Sequence, residues 1–192
     1  ELSEGMIAAF IGEKTSTSIA LTSHGLPQIG TDNLPDFSNE IHYECEIVLK
    51  ISKKGKNIRP ENAENYFDEI SLGIDFTARD IQAKLKEKGL PWEKAKAFDN
   101  SAPIGKFIGK EKLDIANLDF ELKINGETRQ KGHSRDLIFS FDQVISYVSQ
   151  FVSLRVGDLI YTGTPEGVGP VKIGDRLEGF LNGEPLLGLS IK

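Results

Sequence analysis

The segment His42-Tyr43-Glu44-Cys45-Glu46-Ile47-Val48-Leu49-Lys50-Ile51 alternates with the two-residue period of a β-strand. Tyr43, Cys45, Ile47, Leu49 and Ile51 share one face, which is apolar and lines a core, while Glu44, Glu46, Val48 and Lys50 form the other. The same period recurs further along. Leu72, Ile74 and Phe76 alternate with Gly73 and Asp75, and Leu118, Phe120, Leu122 and Ile124 alternate with Asp119, Glu121 and Lys123 up to Asn125-Gly126. A second such pair, Asn182-Gly183, separates residues 177–181 from 186–191. Asn-Gly between alternating runs signals a hairpin, because both residues accept the positive φ of a tight primed turn. The chain is therefore mostly sheet.

Helices are few. Thr77-Ala-Arg-Asp80 reads as a capped start leading into Ile81 and Leu85, with a stop at Gly89 after Lys86 and Lys88. Ser140-x-x-Gln143 reads as a capping box opening a helix with Val144, Ile145, Val148, Phe151 and Val152 on one stripe. Residues 62–67 suggest a third, short one. Residues 12–40, rich in Ser, Thr, Gly and Pro, read as loop.

Of 192 residues, 39% are hydrophobic, enough for one core without disulfide staples. A formal net charge of −6 disfavours a nucleic-acid partner, which needs a basic surface. No apolar run approaches the roughly 20 residues that span a bilayer. The single Cys45 excludes intramolecular disulfides and Cys-based zinc sites, and suits a reducing compartment. The expectation is a single domain, soluble and cytoplasmic, spanning residues 1–192.

Glu44 and Glu46, two apart on one strand, project the same way about 6–7 Å apart. Paired carboxylates need solvent, a proton or a cation between them. This leaves two readings: a solvated strand face, or a site for a hard cation completed by Asp75. Without thiolates and with few imidazoles, such a cation is Mg²⁺, Mn²⁺ or Ca²⁺. His42 shares that face as a fourth ligand, an orienter of ligands, or a histidine bonded to nearby backbone. Lys96 is either a fixed cation for an anionic substrate or a solvated lysine. In Thr162-Gly-Thr-Pro-Glu-Gly-Val-Gly-Pro170, converging backbone N–H groups and Thr164 suit an anion, or form a plain turn. Cys45 reads as an inert core thiol. His24 and His133 have no recognisable nucleophile partner, and no Gly-x-Ser-x-Gly elbow occurs.

These elements, in this order, resemble the fumarylacetoacetate hydrolase family, and within it the acylpyruvase-like and 2-hydroxyhepta-2,4-diene-1,7-dioate isomerase-like branch. The resemblance rests on His42-Tyr-Glu-Cys-Glu46, Gly73-Ile-Asp-Phe-Thr-Ala-Arg-Asp-Ile-Gln82 and Gly89-Leu-Pro-Trp-Glu-Lys-Ala-Lys-Ala-Phe-Asp99. It continues through Asn125-Gly-Glu-Thr-Arg-Gln130 and Thr162 to Pro170, and covers residues 36–192. It implies an α+β, strand-rich fold, a mixed β-sheet roll with a few flanking helices, assembled as a homodimer. It implies Glu44, Glu46 and Asp75 as ligands of Mg²⁺ or Mn²⁺ and Lys96 as catalytic. Arg79, Gln82, Gly163 and Thr164 would then contact a small anionic 2-oxo acid.

The implied activity is hydrolysis of a C–C bond in acylpyruvates through a metal-stabilised pyruvate enolate. Oxaloacetate decarboxylation and isomerisation of the diene dioate are alternatives on the same site. A non-catalytic metal-binding domain is an alternative of another class. Two departures stand out. The family's N-terminal strand and its lid segment with His-x-x-Glu, which activates water, would precede this chain, leaving Glu1 as the acid of that pair. Where Phe-x-Lys-Pro is expected, the chain reads Phe10-Ile-Gly-Glu-Lys14.

Overall fold

The computed structural model describes residues 34–192, together with the backbone of strands at 19–20 and 28–32. The elements run β1 (Ile19–Ala20), β2 (Gln28–Asp32), β3 (Ile41–Tyr43), β4 (Cys45–Ile51), α1 (Pro60–Ala63), β5 (Phe67–Ile74), β6 (Thr77–Ala78), α2 (Arg79–Glu87) and α3 (Glu93–Lys96). They continue with β7 (Ile108–Gly109), β8 (Asp119–Ile124), β9 (Glu127–His133), α4 (Phe141–Phe151), β10 (Leu159–Tyr161), β11 (Gly169–Pro170), β12 (Arg176–Leu181) and β13 (Glu184–Ile191). The fold is α+β and strand-rich, as the alternating runs require. The sheets are ordered β1-β2-β13-β12-β8-β9, β10-β4-β5-β7 and β11-β3-β6. Among the described ladders only β2 with β13 is parallel. The reading of residues 12–40 as loop is corrected to that extent: β1 and β2 lie inside the span, and β2 extends the large sheet.

Both Asn-Gly pairs form the expected turns. Asn125 and Gly126 have φ of 55° and 82°, and Asn182 and Gly183 have 49° and 81°, the primed geometry whose twist matches the strands it joins. β4 and β5 pair from Cys45 opposite Ile74 to Ile51 opposite Phe67, with β5 packed on β12 and β13. Ile47, Leu49, Leu72, Leu122 and Leu187 are wholly buried between these layers. Truncating one of them to Ala costs about 2–5 kcal/mol. Val48, assigned by alternation to a polar face, is also wholly buried, against Ile104 and Tyr161. The side chains of Ile104 and of Tyr161, from the neighbouring strand β10, pack over that face, so β4 is buried on both faces.

The helices follow the sequence only in part. α4 has the Ser140–Gln143 capping box, but its buried residues are Phe141, Ile145, Val148 and Ser149. Phe151 packs its ring at a tilt against Tyr147, centroids 5.1 Å apart, and is exposed. Val152 is extended, beyond the last turn. Thr77 belongs to β6 and caps nothing: α2 starts without a side-chain cap. The Asp80 carboxylate instead accepts from Ser38 Oγ at 2.6 Å and from the Ile81 amide at 2.9 Å, fastening the segment before β3 to α2. The stop at Gly89 (φ 59°) holds, with Gly89 N–H donating to Lys86 O and Leu90 N–H to Leu85 O, a Schellman end. The short helix expected over 62–67 begins earlier, at Pro60, and Phe67 already opens β5. No helix among the described residues is long and apolar enough to cross a membrane.

Candidate metal centre

Backbone pairing builds the centre. Cys45 lies opposite Ile74, and one step further the Asp75 N–H donates to Glu44 O at 2.8 Å, so the β4–β5 ladder delivers Glu44, Glu46 and Asp75 to one place. One ligand oxygen from each lies within 4.8 Å of the others. Asp75 is 2% exposed and Glu46 5%. Lys96, at the end of α3 and 8% exposed, donates to Glu44 Oε2 at 2.8 Å and to Asp75 Oδ2 at 2.6 Å. From the first turn of α2, Arg79 reaches Glu44 Oε1 at 2.5 Å and Gln82 Oε1 at 2.6 Å. The third carboxylate is held differently: the Gly163 N–H donates to Glu46 Oε2 at 2.6 Å. Gly163 has φ of 108°, which only glycine adopts readily.

With all three carboxylates ionised, the two cations would leave the cluster one net negative charge. Burial opposes the charge on Glu44, but Lys96 and then Arg79 hold its carboxyl below the ordinary range. Burial pushes Asp75 up, and the adjacent Lys96 only partly offsets it. Burial, reinforced by the charge of Asp75, pushes Glu46 up too. Among the described residues no Lys or Arg pairs with Glu46, so Glu46 is the carboxylate that keeps a proton when no cation is bound. Lys96 is held above its ordinary value by Asp75 and Glu44, against the opposing effect of burial, and stays charged.

The cluster fits a divalent cation. Its donors are all hard oxygens, and Asp75 Oδ1 is buried without a hydrogen-bond partner. An unpartnered buried carboxylate oxygen is costly unless something fills its place. Of the residues singled out from sequence, the structure brings together Glu44, Glu46, Asp75, Lys96, Arg79, Gln82 and Gly163. Thr164 is near, but its hydroxyl donates to Cys45 O at 2.9 Å and accepts from Gln130 Nε2 at 2.9 Å, so it is engaged within the protein. His42 Nε2 pairs with Glu40 Oε1 at 3.1 Å rather than with the triad. Glu1 lies outside the described residues. Cys45 is wholly buried, and burial together with the charge of Glu46 raises its thiol pKa, so it is inert.

Two contributors escape a reading by residue type. Tyr161 donates to Ala102 O at 2.9 Å, and its ring covers Gly73, which lies opposite Glu46. Gln130, 1% exposed, bonds Cys45 N–H and the 164–165 loop. No apolar residue of β9 marks its inward face, so only the quoted Asn125 to Gln130 motif pointed towards it.

Residues 4–186 match the family described as fumarylacetoacetate (FAA) hydrolase C-terminal. The chain is 40% identical over 176 residues to mouse (Mus musculus) mitochondrial oxaloacetate tautomerase FAHD1, covering 91% of this chain and 78% of that protein. The crystal structure of fumarylpyruvate hydrolase from Pseudomonas aeruginosa, in complex with Mn²⁺ and pyruvate, superposes with a TM-score of 0.80 at 40% identity, covering 84% of this chain and 70% of that one. A 5-carboxymethyl-2-hydroxymuconate delta-isomerase from Mycobacterium smegmatis superposes with a TM-score of 0.76 at 28% identity, covering 84% and 62%. Hydrolase, isomerase and tautomerase are thus all named among the proteins this chain is similar to. With a match along nearly its whole length, the chain is an enzyme and belongs to the fumarylacetoacetate hydrolase family.

Proposed function

We propose that the chain hydrolyses the C3–C4 bond of a short 2,4-dioxo acid, an acylpyruvate, by way of the pyruvate enolate. The observation carrying the reading is the cluster: three hard carboxylates with ligand atoms within 4.8 Å, one buried oxygen unsatisfied, and a charged lysine fixed among them. Mg²⁺ or Mn²⁺ held by Glu44, Glu46 and Asp75 would supply Lewis acidity to a 2-oxo group and to developing enolate charge. A dication on the three ionised carboxylates, with Lys96 and Arg79, leaves the site one net positive charge, which favours an anionic substrate. Lys96 stays protonated between Glu44 and Asp75 and adds fixed positive charge, so it is a charge stabiliser and not the base. Arg79 and the Gly163 N–H orient Glu44 and Glu46. Glu1 is proposed to serve in the pair that activates water.

The fumarylpyruvate hydrolase likeness supports this choice of substrate class. The second reading is keto–enol exchange of oxaloacetate, favoured by the mouse relative's name; it passes through the enolate of oxaloacetate itself, by proton transfer at C3 with no C–C bond broken and no attacking water. The lone buried thiol fits a cytoplasmic setting, and we expect a homodimer. The test is pyruvate release from acetylpyruvate and decay of enol-oxaloacetate absorbance, each with Mg²⁺, Mn²⁺ or EDTA. Cation-dependent pyruvate release supports hydrolysis. Enol decay without pyruvate release replaces it with tautomerisation.

A further inference from the structure

Strand β9 contains one fully buried residue, and it is polar: Gln130, 1% exposed, on the outer strand of the large sheet. A buried carboxamide survives only if its donors and acceptor are met. Gln130 Oε1 accepts from Cys45 N–H at 2.9 Å, and Nε2 donates to Thr164 Oγ1 at 2.9 Å and to Pro165 O at 3.0 Å. Two of these partners are adjacent to residues of the site. Cys45 sits between Glu44 and Glu46, and Thr164 follows Gly163.

The need for such a bond follows from how β10 ends. Its last pair with β4 is Tyr161 opposite Val48, and Thr162 N–H still donates to Ile47 O at 3.1 Å. Beyond that the chain leaves β4, which brings the Gly163 N–H onto Glu46. Cys45, paired with β5 on its other side, would then have an open N–H and C=O. Side chains close both: Gln130 takes the N–H and Thr164 Oγ1 the C=O. The loop also lies directly on β9. At Gly167 (φ 96°) a Cβ would stand 2.3 Å from Arg129 O and 3.3 Å from Gln130 Cγ.

We propose that Gln130 is a positioning residue for the cation site, locking the Gly163–Pro165 loop to the Cys45 backbone so that Glu46 is aimed by Gly163. The inference rests on the reading of Glu44, Glu46 and Asp75 as cation ligands. The carboxamide's direction is fixed, because a flip would set its NH₂ against the Cys45 N–H. The hydrogen bonds of Gln130 go to Cys45, Thr164 and Pro165 and not to the triad's carboxylates, so it acts through Cys45, Thr164 and Gly163.

The test is Mn²⁺ binding by isothermal titration to wild type, Gln130→Met, Thr164→Val and the double variant, each well below its melting temperature. Ile145→Ala, in the buried face of α4, serves as a control destabilised elsewhere. Gln130→Met is expected to weaken Mn²⁺ binding about 10- to 100-fold, the range for partners that orient metal ligands. Thr164→Val acts in the same direction, and the double variant is little worse than Gln130→Met alone, since both break one bridge. Ile145→Ala keeps wild-type affinity. Unchanged affinity in Gln130→Met, or a loss in Ile145→Ala equal to that in Gln130→Met, overturns the proposal while leaving the cation site standing. No Mn²⁺ binding by wild type overturns the cation-site reading, and this inference with it. Gln130→Glu covers the case in which Met does not fold: at pH 8 it keeps an acceptor for Cys45 N–H and sets another against Pro165 O, so a loss of Mn²⁺ affinity is again expected.

Discussion

Replacing Lys96 by Met keeps an unbranched side chain one atom shorter and removes the charge from between Glu44 and Asp75. The ammonium is 2.6 Å from Asp75 Oδ2 and 2.8 Å from Glu44 Oε2, with 10% of the lysine side chain and 3% of the aspartate side chain exposed. Removing one partner of a pair this well buried costs about 3–5 kcal/mol, because the other charge is left uncompensated. Glu44 retains Arg79, so the loss falls on Asp75, whose second oxygen already lacks a partner. For a chain of this size that corresponds to a drop of about 6–20 °C in melting temperature in EDTA at pH 8. At pH 5 the drop is smaller, because Asp75, its carboxyl raised further, takes a proton instead of standing charged. Mn²⁺ restores most of the stability and binds at least as tightly as to wild type, since a competing positive charge is gone. Turnover is lost. Differential scanning fluorimetry with and without Mn²⁺ at the two pH values reads the stability and the binding, and pyruvate release from acetylpyruvate reads the turnover. A Lys96→Met protein that melts with wild type in EDTA, or that loses Mn²⁺ binding together with turnover, refutes the electrostatic account.

Three further outcomes follow from the same cluster. Glu46→Gln abolishes Mn²⁺ binding yet raises the melting temperature of the metal-free protein at pH 8, because the amide leaves no buried charge while its oxygen still accepts from Gly163; a lower melting temperature contradicts this. In EDTA, wild type loses stability between pH 5 and pH 8. The folded state raises the carboxyls of Glu46 and Asp75 and so binds more protons than the unfolded chain, a contribution present at low pH and lost as pH rises. Saturating Mn²⁺ flattens that slope, as melting curves across the range will show. Gly73→Ala puts a Cβ 2.6 Å from Tyr161 Cε1 opposite Glu46, costing about 1–3 kcal/mol by urea titration and weakening Mn²⁺ binding; an unchanged midpoint contradicts the close packing.

Local and periodic signals were the legible part of the sequence. The Asn-Gly turns, the alternation of β4, β5 and β8, the Ser140 capping box and the Gly89 stop each depend on a few neighbouring residues, and each forms as the chemistry requires. What depends on a second layer was not legible. Val48 looks surface-facing until Ile104 and Tyr161 pack over it, and Phe151 shares a helical stripe with Ile145 although the core stops short of it. Thr77 has the chemistry of a cap, but β3 pairs with it first, opposite His42. In the site, residue types drew attention to Glu44, Glu46, Asp75 and Lys96, since carboxylates near apolar strands need a cation. Gln130 is uncharged and lies on a strand with no apolar residue to mark its inward face, so its role emerged only from the atoms it joins.

The most direct test of the account is titration of oxalate, a planar dianion shaped like the pyruvate enolate, into wild-type protein with Mn²⁺ and with EDTA. A site built for that enolate should bind the mimic more tightly than it binds pyruvate, and only with the cation present. Oxalate binding in Mn²⁺ at least tenfold tighter than pyruvate, and absent in EDTA, is the predicted result. Oxalate binding of equal strength in EDTA, or no tighter than pyruvate in Mn²⁺, would contradict enolate stabilisation at Glu44, Glu46 and Asp75.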